Sequence, residues 1–201
     1  ILFAGANSWI RVVAKGLVAE GHQVLLLDTQ YENIAAARLE GLRAVRANIL
    51  SEYAEEEIDL SGLGHLVAAT PNNEVNSLAA QEFQHHFGKA KVWQITPQDV
   101  DAHHSKAVAN HMRGRFCFFG GPKLRDLGLL VAKGAVMKAT QLTEKFTLDD
   151  FRKTHGNDAL ILFQSDEEKG LRPIMADAED IEGSTTILSL VLEKEDPTPA
   201  G

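Results

Sequence analysis

Six short apolar runs alternate with helical patterns over the first 120 residues, and this alternation constrains the fold most. The runs fall at residues 1–4, 23–27, 43–45, 65–69, 91–95 and 116–119. Between the first two, Ile10, Val13, Ala14 and Leu17 recur at helical spacing and Gly21 closes the pattern. A second helix spans about residues 32–39 and stops at Gly41. A further helix is expected to start at "TPNN", with Thr70 as N-cap and Pro71 at the first helical position. It carries Val75, Leu78, Ala79 and Phe83 on one face and ends at Gly88. Strands that alternate with helices through short connections specify βαβ units and a parallel sheet. The wholly apolar runs "VLLL" and "HLVAA" suit strands covered on both faces.

The pattern changes after Gly120–Gly121. A crossover helix is expected within residues 121–134, ended by Gly134. The run "AVMKATQLT" follows, then a helix in "TLDDFRKTHG", where Thr147 and Asp150 are spaced as a capping box. Strands are expected at "ALILFQ", "LRPIMA" and "TTILSLVLE". Residues 135–201 therefore read as a small, largely antiparallel α+β subdomain, with the polar tail "EKEDPTPAG" expected to fray.

The stretch "ILFAGANSWIRVVAKGLVAEGHQVLLLD" holds the turn that bears on function. In a dinucleotide fold, a G-x-G-x-x-G turn makes a tight bend, lets the backbone approach a pyrophosphate and packs helix on strand. Gly5 keeps the bend, but Asn7 and Ile10 replace the other two glycines. Ile10 is expected to hold the helix away from the sheet, and Asn7 to occupy the closest phosphate approach while offering its amide as a donor. The helix start at Ser8–Ile10 still presents free N–H groups, and Arg11 adds a charge. Asp28 ends the second strand, where a carboxylate binds ribose hydroxyls in such folds; an Asp there also simply makes a turn. The expectation is an α/β, Rossmann-like parallel sheet with helices on both faces over residues 1–120.

Other chemistry has weaker support. The net charge of −8 and the short basic clusters, of which "MRGR" at 112–115 is the densest, argue against a nucleic-acid partner. Cys117 is the only cysteine, so no disulfide forms within the chain, and its "FCFF" setting reads as core. The pairs His85–His86 and His103–His104 would need to converge to bind a metal, yet neighbours on a helix diverge by about 100°; no metal site is expected. The acidic runs "SEYAEEEID" and "SDEEKG" lack calcium-loop spacing and read as solvated surface. Trp9 sits in the turn and is a candidate cover for the site. No acid–base motif of an oxidoreductase stands out around Tyr31, Tyr53, Asp59 or His65. No apolar run reaches membrane-spanning length. Ile1 opens directly in a strand-like run, which suggests a piece of a longer protein.

"GANSWIRVVAKGL" resembles the start of the KTN or RCK domain, the nucleotide-binding regulator of potassium transport named after the N-terminal half of the Trk uptake regulator. Gly5, Arg11, Ala14 and Leu17 fall on that family's turn pattern, whereas Asn7 and Ile10 depart from it. "GHQVLLLD" looks like its second strand, and "VAATPNNEVN" like its fourth strand and following helix, with Thr70 and Asn76 on matching positions. Ala47–Asn48 stands where the family has Gly-Asp. "FTLDDFRKTHGNDALILF", "LRPIMAD" and "TTILSLV" resemble the cytosolic tail of NhaP-like sodium/proton antiporters.

The resemblance implies an allosteric module without catalysis. It would bind an adenine nucleotide (AMP, NAD(H) or ATP), pair as a homodimer, and act on a membrane domain upstream in the same chain, at the cytoplasmic face. The implied contacts are Gly5, Ala6, Asn7, Ser8, Trp9, Ile10 and Arg11 in the turn, Asp28 and Thr29, Asn48 and Ile49, and Thr70 and Asn72. The departures from the glycine pattern favour a mononucleotide such as AMP. An NAD(P)-dependent oxidoreductase and a docking module with a decayed nucleotide site are the alternatives.

Overall fold

A computed structural model of the chain describes residues 1–95, 114–118, 124–156, 159–168, 170–174, 181 and 184–192. Its first six strands are β1 (Leu2–Ala4), β2 (Leu25–Asp28), β3 (Ala44–Arg46), β4 (Leu66–Ala68), β5 (Val92–Ile95) and β6 (Arg115–Cys117). They form one sheet of order β3-β2-β1-β4-β5-β6, and every pairing in it is parallel. Phe3 of β1 stands opposite Leu26 of β2 and Val67 of β4, and all three are fully buried. The central strands β1 and β4 are wholly apolar and buried because helices cover both faces.

On one face lie α1 (Ser8–Ala19), through Trp9, Ile10, Val13, Ala14 and Leu17, and α2 (Tyr31–Leu39), through Ile34 and Ala37. On the other lie α3 (Asn73–Glu82), the short α4 (Gln84–Phe87) and one π-helical turn, Tyr53–Glu57. Ala79, Ala80, Phe83 and Ala54 fill that second core.

Two expectations about α3 need correction. Its N-cap is Asn72, not Thr70: the Asn72 side chain accepts from the Glu74 and Val75 N–H groups, so the helix starts two residues past Pro71. The Thr70 hydroxyl turns instead to the side chain of the fully buried Asn76, 2.7 Å away. Leu78 is not on the buried face; it is 53% exposed, and Asn76 takes an inward position.

The second unit follows α5 (Leu124–Ala132). It comprises β7 (Ala135–Gln141), α6 (Leu148–His155), β8 (Leu160–Asp166), β9 (Gly170–Pro173) and β10 (Thr186–Leu192). The antiparallel order is β7-β10-β8-β9, so "AVMKATQ" adds an edge strand to the three expected from sequence. One sheet face contributes Leu162, Leu188 and Leu190 to the core that holds Trp9 and Val13. The other packs Ile187 and Val191 on Phe151 of α6. Gly16 permits the close crossing of α1 over β7, because a Cβ there would lie 2.3 Å from the Met137 Cβ. Phe118, at the end of β6, has a left-handed backbone (φ 59°) and donates its N–H to the Ile174 carbonyl at 3.0 Å. Its ring meets Phe163 edge-on. Cys117 is fully buried, and burial pushes its thiol well above the usual range, as expected of a core residue.

The expected capping box is present at α6. Thr147 Oγ1 accepts from the Asp150 N–H, and Asp150 Oδ2 accepts from the Thr147 N–H. The hydrogen bonds from Thr147 hold the Asp150 carboxyl down at about 2. This stabilisation is complete above an ordinary carboxylate pKa of about 4 and should be lost as pH falls toward about 2. Replacing Thr147 with Ala is expected to cost about 1 kcal/mol, read by urea unfolding at neutral pH. The cost should shrink in acid, where protonation of Asp150 weakens its bond from the Thr147 hydroxyl, but should not vanish, because that hydroxyl still accepts from the Asp150 N–H.

His85 and His86 lie on exposed α4, and His86 Nε2 is 3.8 Å from Glu55 Oε1. No group of three potential metal ligands occurs among the described residues. His103, His104, Met112 and the C-terminal tail lie outside them.

Candidate functional site

In an open parallel sheet, a crevice opens beyond the strand C-termini where the strand order reverses. Here the reversal falls between β1 and β4. A cavity of about 380 Å³ lies there, bounded by the ends of β1, β2, β3 and β4 and by the start of α3.

The β1–α1 turn forms its floor. Gly5 has φ +119°, and a Cβ on it would sit 2.9 Å from Ile10 Cδ1 and 3.0 Å from the Ala69 carbonyl oxygen. The side chain of Ile10 thus fills the space that Gly5 leaves open, fully buried. Asn7 is the N-cap of α1: its Oδ1 accepts from the Ile10 N–H at 3.2 Å, which leaves Nδ2 as the donor group at the helix start. The N–H groups of Ser8 and Trp9 have no partner among the described residues.

Asp28 forms one wall, and sequence offered it two roles. Its Oδ2 accepts from the Ala6 N–H and from Asn33 Nδ2, both at 2.9 Å, while Oδ1 accepts from the Gln30 N–H at 2.9 Å. The turn-forming role is therefore filled. A carboxylate accepts about four hydrogen bonds, so Oδ1 keeps room for one more. Opposite, Asn76 takes the Thr70 N–H on Oδ1 and donates Nδ2 to the Thr70 carbonyl, both at 2.9 Å, which fixes the loop after β4. Asn48 Oδ1 accepts from the Leu50 N–H and shapes the loop after β3.

Of the residues expected from sequence, Gly5, Asn7, Asp28, Thr29, Asn48, Ile49, Thr70 and Asn72 line the cavity. Ala6, Ser8, Trp9, Ile10 and Arg11 do not. Trp9 covers nothing: it is 2% exposed and packs in the core, because the helical turn directs it at the sheet alongside Val13. The Arg11 guanidinium is held by Glu40 at 2.8 Å and by the Ala6 carbonyl at 2.9 Å. Sequence reading missed Gln30, Asn33, Pro71 and Val75, which also line the cavity. Asn33, one turn into α2 behind the acidic strand end, was the one with a readable signal.

Residues 1–111 match the family model described as the TrkA-N domain. This chain belongs to the TrkA-N domain family. No curated protein matches it. Among solved structures, this TrkA-N domain is similar to the NAD(P)-binding domain of an exopolyphosphatase-related protein from Archaeoglobus fulgidus. Identity there is 21% over 54% of this chain and 83% of that one, with a TM-score of 0.43. It is also similar to the GsuK RCK domain, at 12% identity over 94% of this chain and 44% of that one, TM-score 0.47. The GsuK channel bound to NAD is 10% identical over 94% of this chain and 37% of that one, TM-score 0.46. The TrkA-N chain thus spans less than half the length of either GsuK chain, and likeness at this level says nothing of what it binds.

Proposed function

We propose that this TrkA-N domain is a regulatory module that holds an adenine nucleotide in the β1–β4 cleft and controls a cation transporter, either a potassium transport system or a sodium/proton antiporter. The observation that carries this reading is the convergence of two complementary groups on one cavity. Asn7, with Nδ2 left as a donor at the start of α1, offers a hydrogen bond and the helix's positive end to a phosphate. Beside that turn, to which its Oδ2 is bonded through the Ala6 N–H, Asp28 Oδ1 has one acceptor position for a ribose hydroxyl. Family membership supports the regulatory role. Asn7, in place of a glycine, favours a mononucleotide such as AMP over a closely held pyrophosphate.

Control then works by population shift: the nucleotide must favour one arrangement of a homodimer over another, and the transporter at whose cytoplasmic face the module sits responds to the difference. No described helix is long and apolar enough to cross a membrane; the transporter in this reading is a membrane domain upstream in the same chain.

Thermal denaturation with AMP, ADP, ATP, NAD and NADH tests the reading. At a hundredfold excess over Kd, a ligand adds about 2.7 kcal/mol, equivalent to roughly 5–10 °C in a chain of this size. Stabilisation by none of the five would leave the docking alternative, and NADH oxidation with a small carbonyl compound would favour the oxidoreductase. Asp28→Ala should weaken the active nucleotide by about 10- to 100-fold, the worth of a charge-assisted hydrogen bond. Calorimetric titration reads that loss directly on the folded fraction, apart from the destabilisation caused by freeing Ala6, Gln30 and Asn33.

A further inference from the structure

Next to the nucleotide cleft, on the second face of the sheet, a groove of about 360 Å³ runs between α3 and the Tyr53–Glu57 turn. Its apolar lining is Ile49, Leu50 and Leu78; its polar rim includes Glu52, Glu55 and Glu82. Leu78 is 53% exposed although Ala79 and Ala80 beside it on α3 are fully buried, and Leu50 is 36% exposed next to the buried Ile49. Glu52 and Glu82 have no cationic partner among the described residues, and Glu55 has only His86, 3.8 Å away. An apolar strip left uncovered inside a rim of uncompensated carboxylates is complementary to one kind of surface, an apolar ridge flanked by cations.

We propose that this groove docks a basic amphipathic segment of a partner protein. A helix with Leu at i, i+3 or i+4, and i+7 lays those side chains on Leu50 and Leu78 and brings its Lys or Arg residues to Glu52 and Glu82. The charges also disfavour other occupants. A second copy would have to bring one of its cationic patches to the carboxylate rim, and a small polyamine gains nothing from the apolar floor. The acidic run "SEYAEEEID", read from sequence as solvated surface, thus becomes one wall of a recognition site.

The probe is a fluorescein-labelled synthetic peptide of about 15 residues, long enough for a marginal helix, with Leu on one face and Arg on the other. Two controls accompany it: one with Glu for every Arg, one with Ser for every Leu. Fluorescence anisotropy with the whole chain should show binding of the Leu/Arg peptide alone. Binding should weaken about tenfold in the double variant Glu52→Lys/Glu82→Lys and about tenfold in Leu78→Asp. All three positions are outside the core, so melting temperatures should stay close to that of the parent. Equal affinity for the Ser-substituted peptide would reduce the effect to non-specific charge attraction and overturn the proposal. So would the absence of binding, or undiminished binding to the variants. Self-association that Leu78→Asp abolishes would assign the groove to a second copy and overturn it as well. None of these readouts needs a nucleotide, so the result stands apart from the cleft's ligand.

Discussion

Gly5→Ala is expected to destabilise the protein by about 3 kcal/mol and lower its melting temperature by roughly 6–12 °C. Two independent costs combine. The backbone at φ +119° is one that a residue with a Cβ rarely adopts. The new methyl would also lie 2.9 Å from Ile10 Cδ1 and 3.0 Å from the Ala69 oxygen, against a normal carbon contact of about 3.5–4.0 Å. Ile10 can turn away at some cost in core packing, but the Ala69 carbonyl belongs to the segment leaving β4, whose N–H bonds back to Ala4. Trimming Ile10 to Ala in the Gly5→Ala background should therefore recover part of the loss and no more. Full rescue would show that the backbone carries no strain at Gly5. Because the same turn presents Asn7 to the cleft, nucleotide binding should weaken in step with stability.

Gly16→Ala reverses a familiar sign. In the middle of an exposed helix this change stabilises by up to about 1 kcal/mol. Gly16, however, faces Met137 across the junction of the two units, with only 2.3 Å for a Cβ–Cβ contact. Relief requires β7 to move away from α1, and the expected net cost is about 2 kcal/mol. Gly128, in α5, supplies the comparison, since nothing among the described residues lies within 4 Å of its missing Cβ. Gly128→Ala should stabilise by about 0.5–1 kcal/mol. Chemical denaturation of the two variants should move in opposite directions. Met137→Ala should not restore Gly16→Ala fully, because it keeps the obstructing Cβ. A stabilising Gly16→Ala would mean that α1 and β7 are not in close contact.

The parallel sheet was legible because its central strands carry the signature of double-sided burial, and α1, α2 and α4 each end within two residues of a glycine. The capping box at Thr147 was legible because both its partners lie within one turn. Contacts set by the fold were not. Thr70 and Asn72 are equally good caps by residue type, and what decides between them is Asn76, which takes Thr70 for itself from inside α3. Leu78 fits a helical stripe, yet Asn76 and Ala80 turn inward beside the expected Ala79 while Leu78 stays exposed. Arg11 reads as a phosphate contact until Glu40, 29 residues on, is seen to hold it. In the candidate site, the acid at the second strand end and the polar ends of the other strands could be read from spacing. The prior engagement of Asp28 by Ala6, Gln30 and Asn33 could not, because it depends on how α2 returns across the strand.

The path of α1 has a mechanical consequence. Its first residue follows the cap at the β1–β4 cleft, and Gly16, roughly 12 Å along the axis, rests on the antiparallel sheet. A rod seated this tightly at both ends cannot tilt at one without displacing the other, since close-packed side chains leave no slack to absorb the motion. The missing third glycine belongs to the same device. Ile10 packs the start of the rod against the turn, so that a shift at Asn7 is expected to reach Met137 through close-packed contacts.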